Sequence, residues 1–387
     1  MRSPDAKLRR VWGAGLVVML AGALVACGGE KGGQQQQQQG KAGGPKPRGG
    51  TVVVGMRDDF GPLNPVVNTD QYTDELIKYG LYTPLIQFDE KLNPVPYLAQ
   101  SWEMTGDTGV VFHLRHDVYW HDAVPVRAQD VKFTFDLAKN PATASMLAES
   151  YLSKVDRAQV VDSFTIRFHF SAPHAQAIQD FWWAPVPEHV LARIPPDQLR
   201  NADFNRRPVG SGPYHFNMWQ ANDRLVVERE GSFPAALGGP PALDRVVFRI
   251  IPEPSTLIAE LLSGGIHVDV PLDPEQISNV RGNSKLQLFA FPGRTVYFIA
   301  WNNKRPPFTD ARVRRAMTQA IDSKQISDAL LMGYGKEATS PIPPWSPLAP
   351  DVKPLAVDRK QAMQLLADAG YTIKGNAQWV TNAAGQP

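Results

Sequence analysis

Hydrophobic positions along the chain follow the periods of strands and helices in turn. Residues 52–56 form a short β-branched run of the kind found in buried strands, so folded structure is predicted to begin at Thr51. The next stretch predicts a helix over residues 73–81, with Thr73 as its N-cap and acidic residues in its first turn. A further helix is predicted over residues 128–139.

Between these two helices, apolar and polar side chains alternate over residues 112–121, and a turn is expected at His116 and Asp117. A period of two is typical of strands that have one face in solvent. The pattern therefore predicts paired strands on either side of the turn, with one buried face formed by Phe112, Leu114, Val118 and Trp120.

The second half of the chain shows the same succession of elements. Strands are predicted over residues 243–251 and 296–301, where β-branched and aromatic residues are concentrated. A helix over residues 255–263 should end at the glycine pair that follows it. Two more helices are predicted, one capped by Thr309 or Asp310 and one running from Asp358 to Gly370. The first of these carries a complete apolar face, made of Val313, Ala316, Met317, Ala320 and Ile321.

The first 26 residues have the pattern of a lipoprotein signal peptide. Lys7, Arg9 and Arg10 precede an apolar run over residues 11–26, which is shorter than the about 20 residues that a membrane span needs. Small residues directly precede Cys27, as lipoprotein signal peptidase requires. We expect cleavage before Cys27 and lipidation of its sulfur, which would anchor the protein to a membrane. The alternative is an ordinary signal peptide with an incidental cysteine.

Composition beyond the signal peptide excludes several classes of function. Residues 1–26 hold four of the 40 Lys and Arg residues and one of the 38 Asp and Glu residues, which leaves 36 against 37 and a net charge of −1. No basic surface for nucleic acid is therefore expected. Cys27 is the only cysteine, which excludes a disulfide, a redox step and a cysteine zinc site. Residues 27–50 have almost no apolar content and are interpreted as a flexible tether.

Clusters of reactive side chains are few, and each has a structural alternative. His113, His116 and His121 could suggest a metal site, but the turn separates His116 from the other two and no acidic pair completes the set of ligands. Gly-Ser-Gly at residues 210–212 fails the spacing of a nucleophile elbow and of a phosphate loop, so a structural role is favoured. We expect no catalytic residues, no metal and no other cofactor.

Other conspicuous side chains are expected to be structural or solvated. Trp182 and Trp183 could stack on a ligand, but adjacent tryptophans more often seal a core. His189 is interpreted as a packing residue. Three arginines near a helix start, Arg312, Arg314 and Arg315, are expected to be solvated.

Four segments mark most of the chain in a fixed order: residues 81–103 (LYTPLIQFDEKLNPVPYLAQSWE), 112–131 (FHLRHDVYWHDAVPVRAQDV), 208–214 (PVGSGPY) and 296–321 (VYFIAWNNKRPPFTDARVRRAMTQAI). Together they resemble the peptide/nickel-type family, family 5, of extracytoplasmic solute-binding proteins that serve ABC importers. The chain departs from the family pattern at Ala123, where glycine is usual, and at Val124, where threonine is usual. Glycine takes a positive φ easily, so the geometry of this turn is in question.

The resemblance implies an α/β, two-lobed fold of the type II periplasmic-binding-protein kind, with mixed sheets and a subdomain inserted in the first lobe. Domain I would comprise residues 51–88 and 206–300, domain II residues 89–205, and a partial domain III residues 301–387. Relatives continue beyond the turn-like residues 382–387, so the second lobe is expected to be incomplete. The helices at 310–332 and 358–370 would then expose apolar faces, and this chain alone should bind ligand weakly.

The resemblance also implies a ligand-binding site in the cleft between the lobes. One wall would be formed by the loop before the first helix, and the other by a strand over residues 297–303 where the chain crosses to the second lobe. Aromatic packing and one polar or hinge contact are expected on that strand, although its aromatic residues could instead be sheet core. The implied contacts are Asn68, Thr69 and Asp70 on one wall and Tyr297, Trp301 and Asn302 on the other.

The function that the resemblance implies is capture of a small peptide and its delivery to an ABC permease and ATPase complex. The peptide would lie extended and bind through main-chain hydrogen bonds. Other members of the family bind nickel complexes, oligosaccharides or opines, and an envelope hydrolase, a sensor or a structural lipoprotein are further alternatives. We expect a lipid-anchored monomer in the cell envelope, on the periplasmic or extracellular face of a membrane, that is not an enzyme.

Overall fold

The computed structural model describes residues 48–372 apart from residues 292, 294, 345 and 347. Within that part of the chain, no helix is long and apolar enough to cross a membrane. The predicted signal peptide at residues 1–26, the lipidation site Cys27, most of the tether and residues 373–387 lie outside the described residues.

Short strands and helices succeed one another along the described residues. The strands are β1 (Thr51–Met56), β2 (Ile86–Phe88), β3 (Pro94–Pro96), β4 (Ala99–Met104), β5 (Gly109–Leu114), β6 (Val155–Asp162), β7 (Thr165–Phe170), β8 (Tyr214–Gln220), β9 (Arg224–Arg229), β10 (Arg245–Ile250) and β11 (Val268–Asp269). The helices are α1 (Gln71–Leu76), α2 (Ala128–Lys139), α3 (Met146–Ser150), α4 (Glu188–Leu191), α5 (Pro254–Ser263), α6 (Ile277–Val280), α7 (Ala311–Ala320), α8 (Ser323–Leu331) and α9 (Arg359–Asp368).

The first sheet is mixed and has the strand order β11-β1-β10-β9-β8. β1 pairs in parallel with β10 over its whole length, whereas β11 pairs in parallel with β1 only at Val54–Val268 and Gly55–Asp269. β8, β9 and β10 form an antiparallel meander. Because β1, β10 and β11 point the same way, their carboxyl ends lie at one edge of this sheet.

The second sheet is antiparallel, with the order β4-β5-β7-β6, and all its strands lie between β1 and β8 in the sequence. Its buried face carries an aromatic cluster in which the rings of Phe112 and Phe168 each lie 4.7 Å from that of Phe181, measured between centroids. α2 covers this sheet with Val131 and Phe135, both buried. The sheet falls within the predicted domain II, and the division into domains stays a prediction.

α1 begins earlier than predicted because Asp70, rather than Thr73, is its N-cap. The Asp70 carboxylate accepts hydrogen bonds from the backbone N–H of Thr73 at 2.7 Å and from its hydroxyl at 2.6 Å. An N-cap side chain satisfies a backbone N–H of the first turn, and Asp does this as well as any residue. The predicted N-cap at Thr73 is therefore wrong.

α1 continues as a π-helical segment, Ile77–Leu81, that carries the buried Lys78. The Lys78 ammonium group lies 2.6 Å from the Asp74 carboxylate, donates to the Tyr151 hydroxyl at 2.9 Å and lies 4.0 Å from the ring centroid of Trp182. A buried charge is tolerated only when it is paired and hydrogen-bonded. Lys78 therefore ties the first helix to residues that surround the second sheet.

The Gly-Ser-Gly segment at residues 210–212 belongs to the chain that returns from the second sheet to the first. It is hydrogen-bonded to the chain that leaves the first sheet for the second. The backbone N–H groups of Ser211 and Gly212 both donate to the carbonyl oxygen of Leu81, each at 2.9 Å. A Cβ at Gly210 would lie 1.9 Å from that oxygen, and one at Gly212 would lie 2.3 Å from the carbonyl oxygen of Gly80. Only glycine fits such close approach of two backbones, so the segment has the structural role that its sequence favours.

Two predicted strands do not form. Residues 118–121 do not pair with β5, which lies between β4 and β7, and Tyr119 forms only a single bridge to Pro125. Residues 296–301 are irregular, and Tyr297 is 85% exposed, so the strand expected over 297–303 is wrong as well. β-branched and aromatic residues make a strand only where a neighbouring strand satisfies their backbone and packs on their side chains.

The other predicted elements are confirmed. They correspond to β1, α2, β10, α5, α7 and α9, and Asp310 is the cap of α7. α7 and α9 bury their apolar faces against each other through Val313, Ala316, Ala362 and Leu366. The expected exposure of apolar faces holds instead for α8, where Ile326 is 49% and Leu330 65% exposed.

Ala123 adopts the left-handed backbone that glycine would take more easily, with a φ of +69°. Its N–H donates to the Trp120 carbonyl at 2.8 Å, and the Trp120 N–H donates to the Val124 carbonyl at 2.7 Å. These bonds close a three-residue turn of the kind that places a left-handed residue last. The turn is thus kept despite the missing glycine, at a strain of about 1 kcal/mol.

We expect Ala123→Gly to raise the free energy of unfolding by about 0.5–1 kcal/mol, because it relieves this strain. Ala142→Gly is the matched control, since Ala142 is exposed and its φ is not positive. Glycine at residue 142 should lower stability slightly through unfolded-state entropy. Urea denaturation measures both changes, and equal effects of the two substitutions would contradict the assigned strain.

Gly212→Ala should lower the free energy of unfolding by about 2–4 kcal/mol, because its Cβ meets backbone atoms that cannot move independently. Gly231→Ala is the control, since a Cβ there meets no atom within 4 Å. It should leave stability within about 0.5 kcal/mol of the parent chain. Comparable midpoints in thermal unfolding for the two variants would show that the close approach at residue 212 is dispensable.

Candidate functional site

The carboxyl ends of three parallel strands meet at one edge of the first sheet. β1 is followed by Arg57, β10 by Ile251 and β11 by Val270. In open α/β sheets, ligands bind in the crevice outside the carboxyl ends of the strands. This edge is therefore the candidate functional site.

An ion pair joins the segment that follows β1 to the segment that follows β11. Arg57 Nη2 lies 2.6 Å from Asp273 Oδ2, and the two side chains are 30% and 39% exposed. Burial raises the pKa of the Tyr72 hydroxyl, as does the Glu75 carboxylate, and the Arg57 charge opposes the rise. Arg57 thus lies where three parts of the chain meet: the end of β1, α1 and the segment after β11.

Asp269, the last residue of β11, changes charge near neutral pH. Partial burial raises the pKa of its carboxyl group to about 6, the Arg57 guanidinium lowers it, and the Asp273 carboxylate raises it. We call Arg57, Tyr72, Asp269 and Asp273 the strand-end cluster. It combines one permanent cation with two carboxyl groups and a phenol, which equips it to hold charged or polar groups by hydrogen bonds.

Asn68, Thr69 and Asp70 lie directly before α1. Asn68 is 8% exposed, its amide donates to the Asp70 carbonyl at 2.9 Å, and its Oδ1 accepts from the Asp70 N–H at 3.1 Å. Asp70 caps α1, whereas Thr69 is exposed. Two of the three side chains already have structural partners, and a ligand role for the three stays a prediction.

Tyr297, Trp301 and Asn302 lie in the irregular segment before α7. None of them belongs to a sheet, so the sheet-core alternative for Tyr297 and Trp301 is wrong. The Trp301 ring stacks on Phe308 at 5.0 Å between centroids, and the Asn302 side chain accepts from the Lys304 N–H at 3.1 Å. Tyr297 is mostly exposed. Their ligand role stays a prediction.

Sequence reasoning missed the strand-end cluster. Arg57, Asp269 and Asp273 are distant in the chain and meet only because β11 pairs in parallel with β1. The available signal was local: Arg57 directly follows a buried strand, which is where a carboxyl-end site needs a polar residue. No local sequence pattern predicts the pairing of β11 with β1, which brings Asp269 and Asp273 to the same edge as Arg57.

The histidines considered as metal ligands have separate neighbours. The His116 ring stacks on Phe164 at 3.9 Å between centroids, and His121 Nε2 lies 3.0 Å from the Gly212 carbonyl oxygen. His113 Nε2 lies 3.9 Å from a carboxylate oxygen of Glu103. In the part of the chain that the structure describes, no group of three His, Cys, Asp or Glu side chains is placed to hold a metal ion.

The tryptophan pair and His189 have structural partners. Trp183 is 1% exposed in the aromatic cluster, and Trp182 packs edge-on against Phe88 at 5.2 Å between centroids. Core packing is thus the role of Trp183, as predicted. His189 Nε2 lies 2.7 Å from the Asp122 carboxylate.

Two of the three arginines at the start of α7 are bonded rather than merely solvated. The Arg312 guanidinium pairs with the Asp310 carboxylate at 2.6 Å, and that of Arg314 donates to the Phe308 carbonyl at 2.7 Å. The expectation of simple solvation is wrong for these two. Both bonds brace the N-terminus of α7 beside Trp301.

Known proteins resemble this chain in both sequence and fold. A Brucella ovis protein described as an ABC transporter peptide-binding protein is 31% identical over 340 residues, 85% of this chain and 62% of its own length. The oligopeptide-binding protein AppA of Bacillus subtilis is 29% identical over 365 residues, 92% of this chain and 65% of its own length. This chain therefore spans less than two thirds of the length of these relatives.

Solved structures give the same result for the fold. AppA of Bacillus subtilis in complex with a nonapeptide has a TM-score of 0.74 and 26% identity, over 88% of this chain and 68% of that one. NikZ of Campylobacter jejuni in complex with Ni(L-His) has a TM-score of 0.75 and 24% identity, over 86% of this chain and 65% of that one. The predicted α/β periplasmic-binding-protein fold is confirmed.

The family match covers more than half of the chain. Residues 93–386 match the family of bacterial extracellular solute-binding proteins, family 5, middle region. These residues include the second sheet, most of the first sheet and the helices α7 to α9. The chain belongs to the family 5 bacterial extracellular solute-binding proteins.

Proposed function

We propose that this protein is the substrate-binding component of an ABC importer and that it captures small peptides. The match of residues 93–386 to the family model is the observation that carries the proposal. The relatives named for peptide binding and the structure of AppA with a nonapeptide favour a peptide over another solute. The partners are a membrane permease and its ATPase, and the protein acts as a monomer without catalysis.

The peptide lies in the crevice outside the carboxyl ends of β1, β10 and β11. There the strand-end cluster offers charged groups for peptide termini, and an extended peptide makes main-chain hydrogen bonds with little regard to its side chains. Asn68, Thr69 and Asp70 border this crevice from one wall, and Tyr297, Trp301 and Asn302 from the other. The accompanying domain division is residues 51–88 and 206–300 for domain I, 89–205 for domain II and 301–387 for part of domain III.

The protein is held in the cell envelope by a lipid on Cys27. The basic residues, the short apolar run and the small residues before Cys27 support this proposal. Several acyl chains hold a protein to a bilayer firmly, whereas one chain does not. The receptor then faces the periplasm or the cell exterior, within reach of its permease.

Trp301→Ala should weaken peptide binding about tenfold while leaving the protein folded, because it removes an aromatic contact from the crevice wall. Trp102→Ala is the control, since the Trp102 ring also packs on a single phenylalanine, Phe112, but lies in the second sheet. Calorimetry on protein isolated from its own cells, with a panel of di- to pentapeptides, gives the affinities. Equal affinity for both variants would remove Trp301 from the site, and binding of no peptide would overturn the proposed function.

Cys27→Ala should leave the precursor uncleaved by lipoprotein signal peptidase and abolish labelling with radioactive palmitate. Without a thiol at residue 27, no diacylglycerol can be attached, so the mature, lipid-anchored form should be missing from the membrane fraction. Ser3→Ala, within the same signal peptide, is a control that should label normally. Palmitate labelling that persists in Cys27→Ala would show that the anchor is not on this residue.

A further inference from the structure

Trp219 lies at the same edge of the first sheet as the candidate site. β8 runs in the same direction as β10, because both are antiparallel to β9, so the carboxyl end of β8 lies at this edge too. Trp219 is the last residue but one of β8. Its indole N–H donates to Asp59 Oδ1 at 2.9 Å, and Asp59 follows Arg57 of the strand-end cluster by two residues. The loop after β1 thus links the Trp219 ring to the candidate site.

Arg206 is attached to the same loop. Asn205, the residue before it, accepts the Leu63 N–H on its backbone carbonyl at 2.8 Å and the Asn64 side-chain amide on its Oδ1 at 2.9 Å. Asn205, Leu63 and Asn64 are all buried, so these hydrogen bonds are shielded from water. Residue 206 is therefore held beside the loop that also bonds to Trp219.

The guanidinium group of Arg206 lies over the face of the Trp219 ring, with its central carbon 4.1 Å from the ring centroid. The ring attracts the cation and fixes its position without using its N–H donors. Arg206 is exposed, and no ion pair or hydrogen bond holds its guanidinium to another of the described residues. Arg206 is thus a positioned cation with free N–H groups.

Other arginines near this edge are already neutralised. Three of them lie in ion pairs: Arg57 with Asp273 at 2.6 Å, Arg249 with Glu260 at 3.0 Å, and Arg224 with Asp223 at 3.0 Å. A guanidinium that is paired with a carboxylate has less charge and fewer donors to offer an incoming anion. Arg206 differs from these three because its contact is an aromatic ring and not a carboxylate.

The Asp59 carboxylate is engaged with donors other than Arg206. Its Oδ1 accepts the N–H groups of Trp219 and Phe60, and its Oδ2 accepts the Asn222 N–H, each at 2.9 Å. Three donors use most of the acceptor sites of a carboxylate. Asp59 therefore fixes the edge of the Trp219 ring, while Arg206 covers the face.

We propose that Arg206, positioned by Trp219, is a specificity-determining residue that binds a carboxylate of the captured solute, and that in a peptide this group is the C-terminal carboxylate. The inference rests on the proposed function and adds to it the group that the receptor recognises. A carboxylate accepts two parallel N–H groups from one guanidinium, in the plane that the Trp219 ring leaves open. Every peptide with a free C-terminus has this group, so one fixed cation serves peptides of any sequence.

Calorimetry on protein isolated from its own cells tests the assignment, with trialanine, tetraalanine and pentaalanine as free acids and as C-terminal amides. The parent protein should bind each acid about tenfold more tightly than its amide, because the amide lacks the charge and the second acceptor oxygen. Arg206→Gln should bind both forms equally, with the affinity that the parent protein has for the amide. Arg206→Lys keeps the charge without the planar pair of donors and should restore only part of the preference.

Arg157→Gln is the matched control, since Arg157 is also exposed but lies on β6, an edge strand of the second sheet. It should keep the full tenfold preference. Equal binding of acids and amides by the parent protein, or a preference that persists in Arg206→Gln, overturns the role of Arg206 and leaves peptide capture intact. Binding of neither form by the parent protein overturns the proposed function, and this inference with it.

An alanine peptide amide that ends in aspartate separates a terminal carboxylate from one on a side chain. We expect it to bind the parent protein like the other amides, because its carboxylate lies away from the end of the main chain. If it binds as tightly as the free acids and loses this affinity in Arg206→Gln, the assignment to the C-terminus is wrong.

Discussion

The structure depends on one backbone oxygen, the carbonyl of Leu81, which accepts two N–H groups from residues 211 and 212. The chain passes this point twice: once on its way from the first sheet to the second and once on its return. Buried backbone groups need hydrogen-bond partners. Here the outgoing chain supplies the carbonyl oxygen, and the returning chain supplies the two N–H groups. The two glycines of the returning segment are required because side chains would separate the backbones. The hydroxyl of Ser211, 2.6 Å from that of Thr83, completes this junction.

Local patterns predicted four of the longer helices well, because a helix satisfies its backbone within one segment. α2, α5, α7 and α9 follow from periodicity and end signals alone. Strand predictions were correct only where a partner strand exists. Residues 52–56 and 296–301 have similar strand-forming composition, yet the first lies between two neighbours and the second between none among the described residues. The choice of Asp70 over Thr73 as helix cap likewise depended on the path of the preceding loop, which sequence does not display.

The residues of the strand-end cluster could not be predicted from the sequence. The resemblance pointed to a cleft and to segments on either side, whereas the pairing of β11 with β1 decides which charges meet. Arg57 and Asp273 form their ion pair across a long stretch of chain, and no spacing rule links them. Local sequence patterns predict individual helices and strands. Which charged residues meet at strand ends depends instead on how the strands pair.

The burial of Lys78 affects how the protein resists proteases outside the cytoplasm. Trypsin-like proteases cleave after lysine only when several residues around it can adopt an extended form in their active site. The Lys78 ammonium group is enclosed by Asp74, Tyr151 and Trp182, and its backbone lies in a π-helical segment. Cleavage there must wait until α1 parts from the residues around the second sheet, an opening that costs much of the protein's stability. A basic residue that would be a weak point on a loop is thereby made resistant to digestion.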